Sequence, residues 1–208
     1  ADSTSEPGVI RSAVGSGQPD AQLVPVGDTY LRSGAPNQNQ GTLPTLRVQS
    51  SGDNRALIRF DSAQLAALPG AVTATLTLTI ADNGENWGST GRPIALHRVT
   101  RAWTEQGATW NCAIDTNASN GSPDCSGISA WEMGKPQEPA LHPWTETPTA
   151  TALITTSLSG VVSFDISADV ALFRSGAAPN YGWILKKVDE GATGRVEFRA
   201  RETANPPR

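Results

Sequence analysis

The chain has 208 residues, a formal net charge of −4 and a hydrophobic fraction of 38 %, with 20 glycines and 15 prolines. This length suits a single domain with a buried core. The slightly acidic balance gives no support for nucleic acid as a partner. No apolar run approaches the ~20 residues of a membrane-spanning helix, so we expect no membrane insertion. The abundance of turn-forming residues favours an all-β protein.

Residues 1–20 are polar and rich in Gly, Ser and Pro, a composition that predicts a flexible N-terminal linker. The segment has no apolar signal-peptide core, so we expect any signal peptide to have been removed. A single domain is predicted over residues 21–208.

Short segments with strand character follow the linker. The clearest is 72–80, in which apolar residues alternate with four threonines, the pattern of a strand with one buried face. Residues 45–49 and 55–61 flank a polar turn and predict a hairpin. Further strands are expected at 94–99, 149–156, 160–166, 181–188 and 195–201.

One short helix is predicted over 167–176, with Ser167 as its N-cap and Gly176 at its C-terminal end. Several short strands accompany this helix without a βαβ rhythm. The expected fold is therefore all-β: an antiparallel two-sheet β-sandwich of the jelly-roll type with one short helix. Residues 112–148 contain too many prolines for central strands and are expected to form a long loop.

Cys112 and Cys125 are the only two cysteines, and twelve mostly polar residues separate them. This spacing does not fit a zinc site, which would also need more histidines than the two present. We favour a disulfide that closes the long loop, which indicates an oxidising compartment. Two buried free thiols are the alternative.

The same loop carries oxygen-bearing side chains at Asp115, Asn117 and Ser119. This alternation can wrap calcium, although Gly stands one position late for an EF-hand and no Glu occupies the last position. Such residues are also common in any turn-rich loop. Calcium is therefore a candidate structural ion, and no other cofactor is expected.

The stretch RVTRAWTEQGATWNC, residues 98–112, is one of several that resemble the DNRLRE family of extracellular β-sandwich domains, also treated as carbohydrate-binding modules. The resemblance implies a jelly roll in a secreted or surface-attached protein, and some members bind acidic polysaccharides such as alginate. The chain departs from shorter members in its long Cys-bearing insertion. The resembling segments are 28–48, 54–61, 96–111, 162–176, 180–191 and 198–208.

In that stretch Trp103 and Trp110 bracket Glu105. The arrangement is open to interpretation as a sugar platform, a catalytic acid or a packed corner of the sandwich. Because it recurs in the resembling family among members whose ligands differ, we interpret the tryptophans as packing residues. Glu105 is then expected to bind backbone or hydroxyl groups in the turn.

No catalytic motif is present: the chain lacks G-x-S-x-G, a Walker loop and H-E-x-x-H. Paired carboxylates could hydrolyse a glycoside only if folding brought them together. Surface or turn positions are the favoured interpretation of these carboxylates, and we expect no enzyme. The candidates for such a pair are Glu105, Glu132, Asp165 and Glu202.

Basic residues alternate with apolar ones in three predicted strands. If these strands share a sheet, one face carries a basic stripe, which suits an anionic polysaccharide. Alternatively, each Arg covers apolar surface and pairs with a cross-strand acid. Trp144 and two other loop tryptophans, Trp87 and Trp131, are either sugar platforms or packing plugs. The candidate sugar-binding residues are Arg55, Arg59, Lys186, Lys187, Arg195, Arg199, Arg201 and Trp144.

These observations predict a non-catalytic carbohydrate-binding module of a secreted or cell-surface protein, which binds a polysaccharide through a basic sheet face. The alternative is a structural or adhesive stalk domain of a large surface protein with no glycan ligand. Other domains of a larger secreted protein are the expected protein partners.

Overall fold

The computed structural model describes residues 9–13, 21–50, 52–69, 73–84, 86–126, 131 and 142–203. Within them the chain is all-β with two short helices. The elements are β1 Val9–Ala13, β2 Ala21–Leu23, β3 Gly27–Arg32, β4 Thr45–Gln49, β5 Asn54–Arg59, α1 Ser62–Ala66, β6 Thr73–Asn83, β7 Arg92–Arg98, β8 Ala150–Ile154, β9 Val161–Asp165, α2 Ser167–Ser175, β10 Trp183–Lys187 and β11 Arg195–Arg199.

The described strands hydrogen-bond into one antiparallel sheet in the order β2-β1-β6-β11-β4-β5-β10-β7-β8, with β3 paired to β5 and β9 paired to β6. β8 also lies beside β9, so the sheet nearly closes on itself. The all-β, antiparallel prediction is confirmed. The predicted division into two separate jelly-roll sheets is not confirmed.

β6 shows why the alternating segments become strands. Ala74, Leu76 and Leu78 are buried in the core, as the period-two pattern predicts. The strand runs beyond the predicted end to Asn83, because Asp82 and Asn83 pair with β11 next to an irregularity in register at Glu197/Phe198. β6 therefore pairs with β1 and β9 through its first part and with β11 through its last.

The helices differ from the prediction in number and in one cap. α2 ends at Gly176, whose φ of 73° suits glycine. Ser167 is not the N-cap: its N–H and hydroxyl both donate to Asp165 Oδ1, and Ile166 precedes the helix. α1 was not predicted, because five residues are too few to show helical periodicity. Its signal was Asp61, which caps the helix by accepting from Gln64 N at 2.9 Å.

Strand β1 lies inside the range predicted as a linker. It pairs with β6 from Val9↔Thr77 to Ala13↔Thr73. This part of residues 1–20 therefore belongs to the sheet, and the rest of the range lies outside the described residues.

Two apolar clusters lie on opposite sides of β5. Ala56 and Ile58 point into the main core, whereas Leu57 points the other way, because successive side chains of a strand alternate between faces. The segment that follows β7 covers this outer face. The second cluster joins Leu31, Leu57 and Ile184 to Val99, Trp103, Ala108, Trp110, Ala113, Trp131 and Trp144.

The predicted disulfide is confirmed. Cys112 and Cys125 are bonded, with a Cα–Cα distance of 5.1 Å, and close a loop at the edge of the second cluster. Asp115 forms a β-bridge with Cys125 inside this loop.

Candidate functional site

The residues of the predicted basic stripe lie in several separate parts of the fold. Arg55 on β5 and Lys186 on β10 line one cleft on the outer face. Lys187, one position further, points inward because side chains alternate along the strand. Its Nζ lies 5.1 Å from the centre of the Trp87 ring and donates to the Ala192 and Thr193 carbonyls. The predicted sugar-binding role of Lys187 gains no support, since this side chain is 1 % exposed.

The basic residues of β11 lie elsewhere. Arg195 forms ion pairs with Asp82 at 2.7 Å and with Glu197 at 2.6 Å. This arrangement matches the alternative interpretation, in which each Arg pairs with an acidic residue. Arg199 is exposed and has no ion pair among the described residues. β11 pairs with β4 and β6, and β4 meets β5 only at Gln49↔Asn54, beside their turn. The described residues thus form no single continuous basic face.

Arg59 and Arg201 have structural partners. The Arg59 guanidinium lies 5.3 Å from the centre of the Trp103 ring and covers it. Arg201 forms an ion pair with Glu105, through two hydrogen bonds from its guanidinium. Both arrangements fit side chains that cover apolar surface or neutralise an acid.

All six tryptophans are buried, each at most 8 % exposed. This burial supports the interpretation of Trp103 and Trp110 as packing residues, and that of Trp87, Trp131 and Trp144 as plugs. The predicted role of Trp144 as a sugar platform gains no support, because its ring is already covered. The His142 ring stacks on it at 4.4 Å, and the Arg55 guanidinium lies 5.1 Å from its centre.

One cleft of about 300 Å³ gathers the predicted residues that do meet. We call it the Arg55 cleft. Arg55 makes a bidentate ion pair with Glu190, at 2.7 and 2.9 Å, and its guanidinium also lies 4.6 Å from the centre of the Trp110 ring. Lys186 Nζ lies 3.8 Å from the Glu190 carboxylate. The cleft is lined by Arg55, His97, His142, Trp144, Glu146, Lys186, Val188 and Glu190.

Burial sets the charge state of this cleft. It lowers the pKa of the Lys186 ammonium, and Glu190 partly opposes the effect. Burial likewise lowers the pKa of His97, whose Nδ1 donates to the Thr145 carbonyl at 2.8 Å. At neutral pH His97 is therefore an uncharged ring, whose Nε2 is a hydrogen-bond acceptor.

Several residues of the cleft were not predicted. Glu190 stands in the turn after β10, four residues after Lys186, a spacing that could have suggested the ion pair. His97 alternates with the inward-facing Leu96, so its outward direction was readable from the strand pattern. His142 and Glu146 carry no such signal, because they come from the irregular segment before β8.

A larger, open groove of about 740 Å³ lies next to the cleft and shares Glu146 with it. Three of its charged residues, Arg98, Asp165 and Asp169, have structural partners. Asp169 pairs with Arg98 at 3.3 Å and accepts hydrogen bonds from Trp183 Nε1 at 2.8 Å and Thr149 Oγ1 at 2.6 Å. The groove is thus mainly acidic and is a poor site for an anion.

The predicted calcium loop uses its oxygens internally. Asp115 Oδ1 accepts from the Asn117 N–H at 2.8 Å, and Asn117 Oδ1 accepts from the Ser119 hydroxyl at 2.7 Å. Asp115 Oδ2 is buried without a hydrogen-bond partner. Calcium binding by these three residues stays a prediction.

Glu105 binds segments remote from its own turn, contrary to the prediction. Its Oε1 accepts from the Asp28 N–H at 2.8 Å and from Arg201 Nε. Oxygens of Asp28, Glu105 and Glu202 lie within 4.8 Å of one another. Burial, followed by the charge of Glu202, raises the pKa of Asp28 to about 8. Of the other candidate carboxylates, Asp165 binds Ser167 and Glu132 lies outside the described residues.

Comparison with known proteins places these features in a family. No curated protein matches the chain. In the part of the chain that the structure describes, no helix has the length and apolar character of a membrane span. The sequence model of carbohydrate-binding module family 96 matches residues 19–133, more than half of the chain. This range contains β3 to β7 and most of the tryptophan-rich segment over the outer face, so the chain belongs to carbohydrate-binding module family 96.

Proposed function

We propose that the chain is a non-catalytic module that binds an acidic polysaccharide in the Arg55 cleft. Family membership supports a carbohydrate as the ligand. The observation that carries the finer proposal is that Arg55 and Lys186 meet in one concave site. Because every tryptophan is buried, recognition by hydrogen bonds and charge is favoured over stacking of sugar rings on indole faces.

The cleft offers complementary groups for such a ligand. Lys186 Nζ donates to the Lys187 carbonyl at 2.9 Å and lies 3.8 Å from the Glu190 carboxylate, which leaves ammonium N–H groups for a uronate carboxylate or a sulfate ester. Arg55 is fixed by Glu190 and by two tryptophan rings, which reduces the entropy lost on binding. The Glu190 carboxylate and the uncharged His97 ring accept hydrogen bonds from sugar hydroxyls.

We also propose that the module acts outside the cell, on a secreted or surface-attached protein. The Cys112–Cys125 disulfide supports this location, since disulfides persist mainly in oxidising compartments. A carbohydrate-binding module typically serves further domains of a larger secreted protein, and such domains are the protein partners that we expect.

The first prediction tests the cleft through Lys186→Gln, which removes the charge and keeps much of the side-chain length. We expect this variant to bind acidic polysaccharide about tenfold more weakly, the loss of one charge-assisted hydrogen bond. The measurement is retardation in native gels that contain alginate, pectin or chondroitin, with a neutral glucan for comparison. Retardation of the unchanged protein should also weaken as salt increases.

Arg199→Ala is the matched control, since Arg199 is exposed on β11 outside the cleft. It should bind like the unchanged protein, and the melting temperature of each variant verifies its fold. Loss of binding in Arg199→Ala but not in Lys186→Gln would move the site to β11. If none of the acidic or neutral glycans retards the unchanged protein, the result favours the alternative, a structural or adhesive stalk domain.

A further inference from the structure

We propose that the chain binds one calcium ion between the carboxylates of Asp28, Glu105 and Glu202, which we call the Asp28 cluster. This site is distinct from the Arg55 cleft and from the loop at Asp115. It assigns a structural role to Glu105, the carboxylate that stands between Trp103 and Trp110 in sequence.

Three distant parts of the chain bring the carboxylates together. Asp28 lies on β3, Glu105 in the segment after β7, and Glu202 after the end of β11. One oxygen from each lies within 4.8 Å of the others, which is close enough for a single cation to contact all three. The Glu105 backbone packs closely against Gly41, where a Cβ would lie only 2.5 Å from the Glu105 carbonyl oxygen.

In its fully ionised form the cluster carries more negative than positive charge. Three carboxylates face one guanidinium, that of Arg201, which pairs with Glu105 and lies 3.2 Å from Glu202. When all four groups are ionised the cluster has a net charge of −2. Like charges at this separation repel strongly in a partly buried site, and one divalent cation neutralises them.

A second, independent observation concerns Asp28 itself. This residue is 2 % exposed, and its Oδ2 accepts the Arg201 N–H at 3.0 Å. Its Oδ1 is buried and has no hydrogen-bond partner. A buried carboxylate oxygen without a donor is energetically unfavourable, and a cation supplies the missing contact.

The donor set indicates calcium among the common cations. All three side chains offer hard oxygen ligands, and no His or Cys belongs to the cluster, which disfavours zinc and other softer metals. Calcium takes six to eight oxygens in flexible geometry. Glu202 is exposed, so water can reach the site and complete the coordination.

The ion would fasten β3, the Glu105 turn and the C-terminal segment to one another. Because it binds the folded chain, it should raise the melting temperature in proportion to the logarithm of its concentration. At about 100 times the dissociation constant the expected rise is about 5–10 °C for a domain of this size.

The test is thermal melting of the chelator-treated full chain, with and without added CaCl₂. We expect a calcium-dependent rise for the unchanged protein and its loss in Glu202→Gln, an exposed substitution that leaves the buried carboxylates in place. Asp115→Asn is the matched control and should retain the rise. A melting temperature that calcium leaves unchanged would overturn the proposal, as would a rise that Asp115→Asn abolishes and Glu202→Gln does not.

Terbium luminescence gives a direct second measurement, which does not depend on stability. Glu105 Oε1 and the Trp103 ring both lie beside Gly27, each 3.8 Å from the position that a Cβ would take there. The ring is therefore close enough to the carboxylate to sensitise a lanthanide bound by it. Tb³⁺ emission excited through tryptophan should appear in the unchanged protein, fall on addition of calcium, and be reduced at least tenfold in Glu202→Gln. Equal emission from both proteins would exclude the Asp28 cluster as the site.

Discussion

His97 makes the Arg55 cleft sensitive to pH. Its ring is buried, donates from Nδ1 to the Thr145 carbonyl and tilts against Trp144 at 6.5 Å. Burial is the main cause of its lowered pKa; Lys186 and His142 lower it further, and Glu190 raises it. Protonation would place a further positive charge near Lys186 on a buried ring, which disfavours the charged form.

We predict that His97→Gln reduces the loss of stability at acid pH. Because the folded-state pKa lies below the unfolded value near 6.5, the histidine stabilises the fold above that value. This contribution is lost as pH falls through the folded-state pKa. Urea unfolding from pH 7.5 to pH 5 should therefore show a steeper fall for the unchanged protein than for the variant. Parallel curves would mean that the pKa of His97 is the same in the folded and the unfolded state.

Part of the segment between β7 and β8 lies as a layer over β3, β5 and β10. Trp110 anchors this layer: its ring is 8 % exposed and lies 4.6 Å from the Arg55 guanidinium. Arg55 in turn pairs with Glu190 after β10. The layer is thus attached to the cleft by packing and by a cation–π contact.

Trp110→Ala should destabilise the fold by about 3–5 kcal/mol, the usual loss for a buried tryptophan. Ser119→Ala, an exposed change in the same segment, should leave the free energy of unfolding almost unchanged. Both are measured by denaturant titration. If Trp110→Ala melts normally yet loses its polysaccharide, the tryptophan contacts the ligand and our packing interpretation fails.

The disulfide closes a loop in the same layer and stabilises the fold by restricting the conformations of the unfolded chain. Replacing both Cys112 and Cys125 by Ala should reduce stability by about 3 kcal/mol, the entropic value for a loop of ~15 residues. A domain of this size would then melt about 6–12 °C lower. The unchanged protein in reductant should show a similar fall, whereas reductant should have no effect on the double variant. A reductant effect on the double variant would mean that the change has another cause.

At the scale of the whole molecule, the sequence predicted the positions of strands well, but it did not predict which strands pair. Alternation in 72–80 identified β6, because burial of one face imposes a period of two. Which strands share a face depends on pairings between distant segments, which no local pattern contains. The basic residues of β5 and β11 were therefore placed on one surface. Lys186 and Lys187 are neighbours on β10, so strand alternation alone directs their side chains to opposite faces.

The carboxylates of the Asp28 cluster were unpredictable for the same reason. Each looks like a surface acid in its own segment, and only the folded chain joins Asp28, Glu105 and Glu202. The resemblance of six segments to one family was the sequence signal that held over long distances. It led to a carbohydrate-binding module but could not identify the cleft.

The position of β10 and β11 in the sheet affects how the chain folds. β10 pairs with β5 and β7, and β11 pairs with β4 and β6, so the last two strands fill places between strands made much earlier. Until residues 183–199 have been synthesised, these four strands have open edges that can pair with other chains. Such non-local pairing makes folding slow, because distant segments must lose conformational entropy to meet before their contacts stabilise the fold. We therefore expect closure of the sheet to be a late event in folding, since it needs β10 and β11.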